Sequence, residues 1–157
     1  MTELDEVDAR LLELLQADSQ QSIAQLSKAL GVAASTLNDR VKRLQRHGII
    51  TGFTAKVDPE ALGLDLLAFV FVGWSDGGIE QEFLRRMAES PAVLECHHVT
   101  GAWNYLLKVR VPSTRALEAF LGGELKAVTG LQRTETLIVL SSAKETMALK
   151  PYVAGAA

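Results

Sequence analysis

SIAQLSKALGVAASTLNDRVKRLQRHG, Ser22 to Gly48, holds two short apolar-striped segments on either side of a glycine turn. Ser22 and Gln25 match the S-x-x-Q pattern of a reciprocal helix cap, Ile23, Leu26 and Leu30 share one face behind it, and Gly31 is a stop signal. The chain restarts after Gly31-Val32-Ala33 with Leu37, Val41 and Leu44 at i, i+4 and i+7, and this helix ends at Gly48. At about 100° per residue from Leu37, Ser35, Asp39, Lys42 and Arg46 fall opposite the apolar stripe, with Thr36, Asn38 and Arg43 at its shoulders. One face packs and the other is free. A short helix, a glycine turn and a basic second helix form the helix-turn-helix arrangement, whose second helix lies in the DNA major groove. Ser35, Thr36, Asn38 and Asp39 can then meet base edges, and Lys42, Arg43 and Arg46 can hold phosphates. Arg43→Ala or Lys42→Ala should accordingly weaken DNA binding and flatten its salt dependence.

The charge distribution agrees with that assignment. The chain of 157 residues has a net charge of only −3, yet residues 1–18 carry one arginine against six acids and residues 28–56 carry six basic residues against Asp39 alone. The basic block is confined to one element. Upstream, Leu4, Val7, Leu11, Leu12, Leu14 and Leu15 recur at helical spacing, with Asp5 as N-cap, which predicts a first helix from Glu6 to Ala17. Downstream, "IITGFTAKVD" is strand-like and ends at Pro59, as a β wing or linker.

The remaining hundred residues alternate strands and helices. Leu66 to Trp74 is a continuous apolar run fit for a central strand, Ile79, Phe83, Leu84 and Met87 have helical spacing, and Val93–Thr100 and Tyr105–Val111 flank a glycine turn. Ser113 caps a helix presenting Leu117, Phe120, Leu121 and Leu125, and "LQRTETLIVL" alternates as a last strand. The order βαββαβ is that of a ferredoxin-like sheet with helices on one face. Phe69, Phe71 and Ile138 are then left partly uncovered, and a second copy is the natural cover, giving a homodimer. The tail "KETMALKPYVAGAA" has room for a short helix.

Several classes are disfavoured. No apolar run is long enough to span a bilayer, and the acidic start lacks the features of a signal peptide. One cysteine, Cys96, allows no internal disulfide and suits the cytoplasm. In "ECHH", Glu95–His98, strand alternation sends Cys96 and His98 to one face and Glu95 and His97 to the other, so no metal set forms from this strand alone. No catalytic signature or paired acid and base is found, and no cofactor is expected.

Taken in order, "LDEVDARLLELLQADSQ", "LSKALGV", "DRVKRLQRHGIITGF", "ECHHVTG" with "YLLKVRV", and "TETLIVL" resemble the leucine-responsive and asparagine-responsive (Lrp/AsnC, feast/famine) family of prokaryotic transcription regulators along nearly the whole chain. The resemblance implies an α+β protein: an N-terminal winged helix-turn-helix over 1–50, a β wing or linker over 51–64, and a ferredoxin-like βαββαβ domain for ligand binding and oligomerisation over 65–157. It also implies double-stranded DNA as partner, dimers that assemble to an octamer, and an amino-acid-like effector bound near the hairpin between the second and third strands. Gly101, Ala102, Trp103, Asn104 and Tyr105 would line that site, with Thr134 and Thr136 as contributors. Two departures stand out. Many members carry G-D-F-D-Y in this turn, where this chain has Ala102 and Asn104, so a carboxylate able to meet an ammonium group is missing. Ala33 stands where a serine commonly caps the recognition helix. The expected function is sequence-specific DNA binding that responds to an amino acid or related metabolite. The alternatives are a ligand-independent protein that wraps DNA and, behind it, a small-molecule enzyme on the ferredoxin-like half.

Overall fold

A computed structural model describes residues 4–153, which divide into two compact units, 4–56 together with 144–153, and 57–143. In the first unit α1 (Glu6–Ala17), α2 (Ile23–Leu30) and α3 (Ala34–Arg46) close on a core of Leu11, Leu12, Leu26, Leu37 and Leu44. Each helix begins where local chemistry allows it. At α2 the Ser22 hydroxyl accepts from Gln25 N at 3.2 Å while Gln25 Oε1 accepts from Ser22 N at 2.8 Å. Gly31 takes a left-handed φ of 65° to end that helix, a conformation that costs glycine no steric strain. The Ser27 hydroxyl then donates to Val32 O at 2.6 Å, tying the turn to α2.

The third helix, α3, starts without a side-chain cap, because its N-cap is Ala33. Ser35 lies inside the first turn and does not replace it. Ala33 already has an extended ψ of 141°, so Ala33→Ser is expected to stabilise the first unit by about 0.5–1 kcal/mol. Helical circular dichroism during urea unfolding measures this, and an unchanged midpoint would count against the cap assignment.

In the second unit β1 (Leu66–Gly73), α4 (Glu80–Glu89), β2 (Val93–His98), β3 (Tyr105–Val111), α5 (Thr114–Ala119) and β4 (Arg133–Ile138) form the expected βαββαβ order. The sheet is antiparallel with strand order β2-β3-β1-β4. The Ser113 hydroxyl accepts from Ala116 N to cap α5, which widens into a π-helical segment over Phe120–Leu125; Gly122 and Gly123 weaken the α preference there. Ala68, Val70 and Val72 of β1 and Leu107, Val109 and Val111 of β3 meet Phe83, Met87, Leu117, Phe120 and Leu125 in one buried cluster.

Three expectations change. Residues 51–58 form no strand: a β segment needs a ladder partner, and among the described residues this one has none. The tail residues 144–153 form no helix and group with the first unit, not with the sheet. Pro151 disfavours helical geometry at Lys150, so a helix there would be too short to hold itself together. Instead Leu149 is tied to α1, its N–H donating to Gln16 Oε1 at 2.7 Å and its carbonyl accepting from Gln16 Nε2 at 2.8 Å. Third, Ile138 is 47% exposed, but it pairs with Ala68 and so belongs to the helix-covered side. The β4 residue in phase with Phe69 on the open side is Leu137, 49% exposed.

Candidate DNA interface and effector loop

On α3, Ser35, Thr36, Asn38, Asp39, Lys42 and Arg46 are all exposed, while Leu37 and Leu44 are fully buried. Asp39, Lys42, Gln45 and Arg46 lie side by side on this open face. Among the described residues neither Lys42 nor Arg46 pairs with a carboxylate, so both charges are available. Arg43, expected on the shoulder as a phosphate ligand, turns inward instead. Its guanidinium donates to Asp8 Oδ2 of α1, while Arg40 donates to Asp8 Oδ1 at 2.8 Å and to Asp5 Oδ2 at 2.7 Å. Asp8 is only 1% exposed. Its two oxygens therefore hold two arginines of α3 against α1, and it also closes the cap by accepting weakly from Asp5 N at 3.4 Å.

Asp5 joins the same cluster. Burial alone would raise its pKa, but the hydrogen bond from Asp8 N–H and the Arg40 guanidinium outweigh it and hold the carboxyl below its usual value of 3.8. A depressed folded pKa stabilises the fold above the unfolded value and loses that stabilisation as pH falls through the folded one. The Asp5 contribution should therefore be intact above about pH 4 and fade below it. Acid titration of the first unit's helicity tests this, and Asp5→Asn is expected to remove part of the slope below pH 4.

The hairpin between β2 and β3 is held by backbone hydrogen bonds, one within it, Val99 N donating to Asn104 O at 3.0 Å, and one to β1, Asn104 N donating to Val72 O at 2.9 Å. Gly101 makes the reversal with φ 106°. Asn104 Oδ1 accepts from Trp74 N at 2.8 Å, so its carbonyl is spent on fixing the loop to the end of β1. Trp103 is half-buried and lies tilted on Phe71, ring centroids 5.8 Å apart. Tyr105, expected in the site lining, is a core residue, 5% exposed, stacked on Trp74 and His98 and tilted against Phe83. Its hydroxyl donates to Glu80 Oε1 at 2.7 Å, and burial first, then Glu80, push its pKa up to about 12. Thr134 and Thr136 pair with Val72 and Val70 and so face the helix side, away from the Phe71 face on which Trp103 lies. The neighbour that sequence reasoning missed is Arg133, whose guanidinium carbon lies 4.5 Å from the Trp103 ring centroid and which donates to Ala102 O.

Elsewhere on the sheet Glu95 accepts from His97 at 3.0 Å and from Lys108 at 3.3 Å on the open side. Cys96 faces the helices, where burial pushes its thiol pKa up and away from the reactive thiolate. Among the described residues no helix is long and apolar enough to cross a membrane.

A helix-turn-helix with a free polar and basic face, followed by a ferredoxin-like unit with an aromatic hairpin, defines a DNA-binding regulator with a separate sensing domain. Comparison with known proteins gives the family. A winged helix-turn-helix DNA-binding model matches residues 4–51 and the Lrp/AsnC ligand binding domain matches residues 67–149; the chain belongs to the Lrp/AsnC family of transcriptional regulators. The HTH-type transcriptional regulator FL11 of Pyrococcus horikoshii is 36% identical over 93% of this chain and 95% of its own. A proline dehydrogenase transcriptional activator of Rhizobium radiobacter is 38% identical over 92% of this chain and 94% of its own. Among solved structures, a Neisseria meningitidis transcriptional regulator in complex with L-Met superposes with a TM-score of 0.89 at 28% identity, covering 93% of this chain and 96% of that one.

Proposed function

We propose that this regulator binds double-stranded DNA through the outer face of α3, acts as a cytoplasmic homodimer or a multiple of it, and responds to an amino acid or related metabolite held at the Gly101–Tyr105 hairpin. The observation that carries the DNA reading is the division of α3: Leu37 and Leu44 bury one side while Ser35, Thr36, Asn38 and Asp39 stand free beside the uncompensated Lys42 and Arg46. Small polar groups near the N-terminus of a recognition helix are placed for base edges, and cations farther along it for phosphates. Two copies would present two such helices to half-sites about one helical turn apart. The dimer reading is supported by the open sheet side, where Phe69, Phe71 and Leu137 form an apolar strip bordered by charged residues.

The effector reading is supported by the family's ligand binding domain and by the L-Met complex of the Neisseria relative. No resident cofactor is part of it. The test is fluorescence anisotropy on duplexes selected by this protein from random-sequence DNA, with and without each amino acid. Selected duplexes should bind at least about a thousandfold more tightly than random ones, and an effector should shift that affinity by about 5- to 150-fold. Equal binding to all duplexes, unmoved by any amino acid, would overturn this reading in favour of ligand-independent DNA wrapping.

A further inference from the structure

We propose that Arg133 is the residue that takes the carboxylate of the effector, and that the site selects small carboxylic acids with an apolar side chain whether or not they carry an amine. The inference rests on the hairpin being the effector loop. Three features hold the guanidinium in place. It lies over Trp103 at 4.5 Å, it donates to Ala102 O, and it crosses the end of β1 where Gly73 has no side chain. A Cβ at Gly73 would stand 2.7 Å from Arg133 Nε, 3.0 Å from its Cγ and 3.3 Å from Trp103 Cε3. Gly73 is thus the bare floor on which the arginine and the indole meet.

Its charge is unanswered. Among the described residues Arg133 has no carboxylate partner, although most arginines of this fold have one: Arg10, Arg40, Arg43, Arg85 and Arg86 are all in ion pairs. Ala102 O uses one of its donors and leaves the rest of a planar fork that matches a carboxylate. The tilted Trp103 and Phe71 rings beside it offer an apolar surface to a side chain.

Nothing comparable awaits an ammonium group. The turn Thr100 to Tyr105 contains no acid. Glu80 already accepts from the Tyr105 hydroxyl, and Glu135, the next residue on the same side of β4, stands opposite Phe71 without pairing to Arg133. The cation is fixed by three contacts and no anion is fixed near it.

The test is thermal shift on the full chain with leucine, methionine and phenylalanine, each as the L-amino acid, the corresponding 2-oxo acid and the amino-acid amide. The amino acid and 2-oxo acid of a binding side chain should stabilise the parent comparably, and the amide should not. Arg133→Gln should weaken binding about tenfold or more, the range expected when a charged hydrogen-bond partner is lost. Arg133→Lys should fall between, since it keeps the charge without the fork, and Gly73→Ala should weaken binding while leaving the charge in place. Amides that stabilise as well as the acids, a response confined to the amino acids, or an Arg133→Gln variant that responds like the parent would each overturn the proposal. The last result would leave the effector loop standing without Arg133. A parent that responds to no carboxylate would remove the loop's sensing role and this proposal with it.

Discussion

Asp8→Asn is expected to unfold the first unit selectively, at a cost of about 3 kcal/mol, the lower end of the range for breaking a buried ion pair. The carboxylate is 1% exposed and faces Arg40 and Arg43 together, with side-chain exposures of 22% and 36%. Asparagine keeps the shape and an acceptor but removes the charge, leaving two guanidinium groups side by side with only Asp5 to answer Arg40. Arg43 is accessible enough for water to recover part of the loss, which is why the upper end of the range is not expected. The experiment has a built-in separation, because both tryptophans, Trp74 and Trp103, lie in the second unit. Helical circular dichroism should lose its first-unit contribution at lower urea in the variant, while the tryptophan fluorescence transition stays where it is. An Asp8→Asn protein within about 0.5 kcal/mol of the parent would place it among ordinary surface changes and would remove the clamp from the account of α3.

Asp8 has two readings in the sequence. As an acid in the first turn of α1 it reads as a partner for the helix dipole, yet it also lies on the stripe of Leu4, Leu11, Leu12 and Leu15, where an acid must find a cation or stay neutral. Arg40 sits in the same way between Leu37 and Leu44 on the inner side of α3. Two opposite charges on facing apolar stripes were the available signal for this contact. The capping box at Ser22, the glycine stop at Gly31 and the alternation of β3 were legible because each is a local rule whose residues lie within a few positions of one another. Tyr105 was legible by the same alternation, being in phase with Leu107, Val109 and Val111, but its nearness to the turn drew it into the site. Thr134 and Thr136 share the phase of Val72 and Val70, and only the β1–β4 register shows which side of the sheet that is. Arg133 depends on Gly73 sixty residues earlier, a non-local juxtaposition no spacing rule supplies. The absence of a strand over 51–58 was not legible in its alternating residues, since a strand is a property of two segments and the sequence does not show whether the second is present.

Replacing both Lys42 and Arg46 by alanine should produce the largest loss of DNA binding available from α3, and the structure separates these two positions from Arg43. Both are exposed, beside Asp39 and Gln45, and neither is engaged by an acid among the described residues. If each neutralises one phosphate, each contributes about 0.9 to the slope of log K against log salt, so the double variant should lose about 1.8 per recognition helix. Binding would weaken on every duplex, selected or random, because phosphate contacts carry no sequence information. Arg43→Ala should behave differently. Its guanidinium is held by Asp8, so its removal is expected to lower first-unit stability and disturb the seating of α3, with a smaller change in salt slope than Lys42→Ala. Asn38→Ala completes the comparison, since a base-edge contact should alter preference among duplexes more than the slope. The measurement is anisotropy over a salt series for the parent and all four variants at a temperature where each remains folded. A double Lys42/Arg46 variant with the parent's slope would show that the outer face of α3 does not meet the phosphates, and an Arg43→Ala variant with the larger slope change would show that the clamp opens when DNA binds.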